Sequence, residues 1–217
     1  MQGLFITMEG ADGSGKSLQS KLLKEYLLER GFDVVTVREP GGTRIGEKIR
    51  DIIIDKENTA MDSMTEVLLY AASRAQLTQE VILPSLNAGK IVLSDRFVDS
   101  SLVYQGFARG LGIDTVMKIN SFALCGLMPD ITFFLDLPAT DGLKRVHSRE
   151  EPDRIEMEAL SFHNKVYEGY LSLVEMYPER IKSIDASRDI QEVKRSIIEI
   201  VEKKLTNSPS PYYNKNK

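Results

Sequence analysis

Near the N-terminus the run Leu4-Phe5-Ile6-Thr7-Met8 leads into Glu9-Gly10-Ala11-Asp12-Gly13-Ser14-Gly15-Lys16-Ser17, and an amphipathic stretch over 18–30 follows. The short apolar run predicts a buried strand and the helical periodicity after it predicts a helix. The glycine-rich octet between them is therefore a strand-to-helix turn of the pattern G-x-x-x-x-G-K-S/T. Each residue type in it has a physical task. Glycines at 10, 13 and 15 let successive N–H groups turn inward around one anion. The helix starting near Lys16 adds unpaired N-terminal donors and the positive end of its dipole. The Lys16 ammonium can follow a phosphoryl group in transfer, and the Ser17 hydroxyl is placed for Mg²⁺. A nucleotide phosphate is the expected ligand of Gly10, Ala11, Asp12, Gly13, Ser14, Gly15, Lys16 and Ser17.

The same two periodicities recur down the chain. Residues 34–37, 91–95, 131–137 and 181–184 read as further strands; 45–54, 64–86, 114–124, 139–147, 159–176 and 190–205 read as helices. Strands alternate with helices and are continuously apolar, which predicts an α/β fold whose parallel sheet is covered on both faces. Pro40-Gly41-Gly42 marks an abrupt turn, a place where a cis bond could sit. The 217 residues, 42% hydrophobic and 28% charged, suffice for a substantial core and predict one domain over 1–206. The segment 207–217 lacks the apolar content to pack and reads as a mobile tail.

Charge and cysteine usage narrow the partners. A formal net charge of −4 provides no overall basic field, so neither nucleic acid nor an anionic membrane is expected as a partner. Any anion site must be local. The single cysteine, Cys125, rules out an internal disulfide and a thiolate metal site, and it reads as a small apolar core residue. No stretch reaches membrane-spanning length and no charged segment precedes the first strand, so a cytoplasmic location is expected.

Ligands of open parallel sheets lie beyond the carboxyl ends of the strands. Four such ends carry chemistry: the glycine-rich loop, Arg38-Glu39-Pro40-Gly41-Gly42, Asp95-Arg96, and the arginine-bearing loop around Arg149. Phosphoryl transfer between two anions asks the protein for cations and for a carboxylate that organises metal and nucleophile. Asp95 can hold the hydration shell of Mg²⁺, and the planar fork of Arg96 can bridge donor and acceptor phosphates. The competing reading of that pair is an ordinary surface ion pair at a strand end.

Taken in order, the phosphate loop, Arg38-Glu39-Pro40-Gly41-Gly42-Thr43, the helix bearing Tyr70 and Arg74, Asp95-Arg96-Phe97 with Ser100-Ser101 and Tyr104-Gln105-Gly106, and Asp153-Arg154-Ile155-Glu156 resemble the bacterial type of thymidylate kinase. The resemblance runs from residue 4 to the closing helix. It implies a three-layer P-loop NTPase fold of the nucleoside monophosphate kinase type, with a five-stranded parallel sheet, flanking helices and a small mobile lid at about 145–154. It implies transfer of the γ-phosphoryl group of ATP to dTMP with Mg²⁺, and a homodimer joined through helices. Residue by residue, it places the sugar 3′-hydroxyl on Asp12, the 5′-phosphate near Arg38 and Arg50, and Arg96 across both nucleotides. Thymine would stack on Tyr70, with Arg74 at its O4 edge and Ser101 and Gln105 completing the polar contacts, while Tyr104 lies against C2′ and disfavours a ribose. Without the resemblance, Tyr70 reads equally well as a core aromatic and Ser101 as a helix cap.

Some members of that family carry an arginine inside the phosphate loop, where this chain has Gly13. The missing charge is expected from the lid, with Arg149 as its source. Glu150-Glu151 makes that lid less basic than in some relatives, and His147 and His163 read as surface or helix-face residues. Two rival readings remain: a kinase for another small nucleotide or nucleoside, and a nucleotide-binding switch that regulates a partner. Against the switch, the guanine-selecting Asn-Lys-x-Asp pattern is missing, since Asn164-Lys165 is followed by Val166-Tyr167.

Overall fold

Five strands, β1 (Leu4–Glu9), β2 (Val34–Arg38), β3 (Ile91–Asp95), β4 (Ile131–Asp136) and β5 (Ile181–Asp185), form one sheet in the order β2-β3-β1-β4-β5. Every neighbouring pair is parallel. The computed structural model describes residues 3–146 and 153–207. β1 is central, pairing with β3 on one side (Met8 with Asp95) and with β4 on the other (Glu9 with Phe134). The chain thus leaves β1 toward opposite edges of the sheet, and the crevice at its carboxyl end is a topological switch point.

The pleat sorts side chains between two cores. Ile6, Met8, Leu93, Phe133 and Leu135 pack with Leu23 and Leu27 of α1 (Lys16–Glu29) and with Val193, Ile197 and Val201 of α9 (Ile190–Asn207). Phe5, Val92 and Phe134 face the other way, onto Val67 and Leu77 of α3 (Ser63–Leu77), Val116 of α6 (Ile113–Leu124) and Val166 and Tyr170 of α8 (Leu160–Met176). This is the three-layer arrangement that continuous apolar strands require. The edge strands β2 and β5 are only partly covered.

Three details depart from the sequence reading. The helix expected over 64–86 is not uniform: α3 passes into a π-helical segment, Thr78–Ile82, and then α4 (Leu83–Asn87). Pro84 lacks an N–H and cannot continue a regular hydrogen-bond ladder, so the wider turn precedes it. A helix absent from the sequence reading, α5 (Val98–Ser101), leads into a second π-helical segment, Leu102–Ala108. Cys125, expected in the core, is exposed; it ends α6 in the left-handed region at φ +50° and so turns away from the packed face.

α2 (Arg44–Ile54) is capped by Thr43 Oγ1, which accepts from the Gly46 N–H, and α3 by Asp62 Oδ1, which accepts from the Met64 N–H. No side chain caps α1, whose N-cap is Gly15 at φ +96°. Its first-turn donors are thereby open toward the loop. α7 (Ala139–Val146) leads toward the expected lid; Arg149 and most of the span 145–154 lie outside the described residues, as does most of the expected tail.

Candidate active site

At the carboxyl ends of β1, β2 and β3 lies a cleft of about 280 Å³, closed by side chains from α2, α3, the segment 100–105 and the segment 153–156. Asp12, Gly13, Lys16, Ser17, Arg38, Arg50, Tyr70, Asp95, Arg96, Ser101, Tyr104 and Gln105, all expected from sequence, line it together. Gly10, Ala11, Ser14 and Gly15 complete the loop, while Arg74 lies outside the lining.

The loop is built on close backbone contact. Gly13 has φ +78°, and a Cβ there would stand 2.2 Å from the carbonyl oxygen of Gly142 on α7. A Cβ on Gly142 would stand 2.3 Å from the Asp12 carbonyl. Lys16 Nζ donates to the carbonyls of Gly10 (3.1 Å) and Ala11 (2.8 Å), so the ammonium lies over the inner rim of the loop. Burial, followed by the positive charge of Arg96, lowers its pKa to about 8. Beside it, Ser17 Oγ donates to Asp95 Oδ2 at 2.7 Å.

Arg96 occupies the centre. It is a non-glycine residue in the left-handed region, φ +68°, a conformation costing about 1 to 2 kcal/mol. The surroundings hold it there: its N–H donates to the Met8 carbonyl at 3.0 Å, and its own carbonyl accepts from Ser94 Oγ at 2.6 Å. The guanidinium donates to Asp12 Oδ1 at 2.5 Å and to the Gly10 carbonyl at 3.0 Å, and lies over the Tyr104 ring. Burial pushes the Asp12 carboxyl up, but Arg96 and Lys16 outweigh it and keep the group below its ordinary value. Asp12 is thus an ionised acceptor. Arg38 and Arg50 both donate to the Pro40 carbonyl, past the cis Glu39–Pro40 bond, and Arg38 also pairs with Glu47 at 2.7 Å.

Behind the cleft the polar side chains form a tighter set than the sequence suggested. Arg74 is only 1% exposed; it donates to Glu39 Oε2 through Nε (2.8 Å) and Nη2 (2.6 Å), to Asn120 Oδ1, and to Ser101 Oγ at 3.1 Å. Glu39, passed over in the sequence although it stands in the Arg-Glu-Pro motif, lines the cleft with a buried Oε1 that has no hydrogen-bond partner. Burial outweighs Arg74 and raises its pKa. Glu9, at the end of β1, accepts from the Phe97 N–H (2.7 Å), Ser100 Oγ (2.6 Å) and Tyr170 Oη (2.9 Å). Next to it Asp99 is held by Arg180 at 2.6 and 2.8 Å.

A further carboxylate, Glu66 on α3, accepts from Gln105 Nε2 (3.0 Å), Arg109 Nε (3.1 Å) and Arg154 Nη2 (2.6 Å). Arg154 also donates through Nε to the Ile53 carbonyl at 2.8 Å, which anchors the chain just beyond the undescribed segment. His163, read as a surface or helix-face residue, lies on the inner face of α8, 3% exposed beside Phe162 and close enough to Asp12 to act on it electrostatically.

The sequence profile of the thymidylate kinase family matches residues 8–197. The chain belongs to the thymidylate kinase family. It is 51% identical over 205 residues to the thymidylate kinase of Thermoanaerobacter sp. (strain X514), covering 94% of this chain and all of that relative. The thymidylate kinase of Geobacillus thermodenitrificans (strain NG80-2) is 48% identical over 219 residues, covering 100% of this chain and 97% of that relative. The crystal structure of thymidylate kinase from Ehrlichia chaffeensis superposes with a TM-score of 0.75 at 33% identity, covering 93% of this chain and 99% of that one. The P-loop fold expected from the resemblance is therefore the fold of this thymidylate kinase family member. Among the described residues, no helix is long and apolar enough to cross a membrane.

Proposed function

We propose that this cleft transfers the γ-phosphoryl group of ATP to dTMP, giving dTDP and ADP on the route to dTTP. The family carries the reaction class, an ATP-dependent nucleoside monophosphate phosphotransfer. The observation that supports the particular acceptor is that one cleft joins the loop cations to Tyr70, Ser101, Tyr104 and Gln105, a set suited to a flat, neutral pyrimidine on a deoxyribose. In this reading Lys16 stabilises the phosphoryl group in transfer, Arg96 spans the two nucleotides, Asp12 accepts the 3′-hydroxyl, and Arg38 and Arg50 hold the 5′-phosphate. Tyr70 stacks on the base and Arg74 serves its O4 edge from behind Ser101, whose hydroxyl it already holds. Arg149 supplies from the lid the charge that position 13 lacks.

Mg²⁺ fits the donor set. Ser17 and Asp95 offer one hydroxyl and one carboxylate in contact, and among the described residues no group of three or more His, Cys, Asp or Glu side chains forms a protein cage. That suits a cation held mainly by nucleotide phosphates and water. When bound, it would neutralise phosphate charge as it shifts in transfer. We further propose one kinase domain over 1–206, a cytoplasmic location, and a homodimer joined through helices. Exposed Ile45 and Ile52 on α2 and Met64 and Leu68 on α3 support the dimer.

A coupled ADP-release assay over dTMP, dUMP, dCMP, dGMP and thymidine tests the reading. Preference for dTMP is the expected result. Equal use of several monophosphates would reassign the acceptor, and nucleotide binding without acceptor turnover would favour the regulatory switch.

A further inference from the structure

Gln105 is 1% exposed and lines the cleft, and the two ends of its amide have different surroundings. Nε2 donates to Glu66 Oε1 at 3.0 Å, whereas Oε1 is buried with no hydrogen-bond partner. A primary amide can usually turn over and exchange its donor for its acceptor. Here it cannot. Burial pushes the Glu66 carboxyl up, but donation from Arg109, Gln105 and Arg154 outweighs it and keeps the group below its ordinary value, ionised and able only to accept. A turned amide would set the Gln105 oxygen against that carboxylate and leave two buried acceptors facing each other.

We infer that Glu66 is a specificity-positioning residue: by holding Nε2 of Gln105, it makes the amide present its oxygen to the base, so the site takes pyrimidines with a hydrogen on ring N3 and rejects those with a lone pair there. This rests on the proposed reading that Gln105 meets the base. Thymine brings an N3–H donor to Oε1. A 4-amino pyrimidine brings a lone pair to the same oxygen, and two unpaired acceptors in a buried site disfavour it by about tenfold to a hundredfold. Glu66 touches neither nucleotide in this scheme, and its effect passes wholly through Gln105.

The test compares kcat/KM for dTMP and 5-methyl-dCMP, which differ only at N3 and C4 of the ring. Glu66→Gln, Gln105→Ala and the double variant are measured beside the wild type. In Glu66→Gln the side chain at 66 can donate or accept, so Gln105 is free to turn. The preference for dTMP is expected to fall at least about tenfold, chiefly through a gain in 5-methyl-dCMP use, with the KM for ATP unchanged. In the Gln105→Ala background the change at 66 should add nothing. An unaltered preference in Glu66→Gln, with a lowered one in Gln105→Ala, overturns the role of Glu66 and leaves base reading by Gln105 intact. An unaltered preference in Gln105→Ala removes base reading at this residue, and the inference with it. If Glu66→Gln fails to fold, the ¹⁵N spectrum of the wild type decides: the Gln105 side-chain amide, identified by its loss in Gln105→Ala, should exchange slowly with water, and exchange as fast as that of an exposed glutamine refutes the restraint.

Discussion

Glu9 makes a prediction about stability whose sign runs against the usual behaviour of a carboxylate. It ends β1 fully buried, and burial together with the neighbouring Asp99 raises its pKa from 4.5 to about 7, with Arg96 pulling the other way. Between those two values the folded chain keeps a proton that the unfolded chain has released. Stability from this group is therefore greatest below pH 4.5 and is lost as pH rises toward 7. At about 1.4 kcal/mol for each pH unit of the interval, the whole effect is about 3 kcal/mol, most of it between pH 5 and 8. Glu9→Gln keeps the shape without titrating. The wild-type stability by itself does not isolate the effect, since Glu39, which burial also raises, changes it in the same direction. The difference between the two proteins does. Urea unfolding at pH 5, 6, 7 and 8 should show the wild type losing about 2 to 3 kcal/mol relative to Glu9→Gln, or roughly 1 M in midpoint difference. A difference that stays constant across the series would show that Glu9 is already ionised at pH 5 and that the reasoning from burial is wrong.

Lys16→Ala should keep the fold and lower kcat by about 10³ or more; near-normal turnover would contradict the assignment of the phosphate loop. In the wild type, kcat/KM for ATP should fall as pH rises past about 8, where the Lys16 ammonium gives up its proton, and a flat profile to pH 9.5 would count against it. Arg74→Ala strands Glu39 as an unpaired buried carboxylate, so calorimetry should register a loss of about 3 kcal/mol or more, and an unshifted Tm would show that the pair is not needed. Arg149→Ala should reduce kcat at least about tenfold with little change in dTMP affinity; a collapse in Arg145→Ala or Arg154→Ala, with Arg149→Ala unaffected, would move the role to that neighbour.

The parts of this molecule that could be read from sequence are those with a local cause. A glycine-rich turn between a strand and a helix requires only its own residues, and five apolar runs separated by helical patterns leave little choice of sheet. What stayed hidden depends on contacts between distant positions. Arg74 shows a charged side chain on a helix; its partners Glu39 and Asn120 lie 35 and 46 residues away, and only the folded chain turns its guanidinium inward to them. Leu102-Val103-Tyr104 carries no local signal for a π-helix, and its contacts with α8 exist only in the folded chain. Glu66 carries no signal of its own in the sequence, because Gln105, Arg109 and Arg154, which converge on it, are distant in the chain. Cys125 left its expected place in the core because a left-handed helix end exposes it, and which face of α8 carries His163 was decided by packing.

The contact between Gly13 and Gly142 bears on how such a protein can change over time. Two stretches of bare backbone meet there, so there is no side chain that could swing aside to make room for a newcomer. An arginine cannot be grafted into the loop at position 13 by one substitution, because its first carbon already collides with α7. A lineage that draws its charge from the loop must reseat that helix as well. The two positions are coupled by contact, so a side chain at one is admitted only if the backbone at the other moves with it.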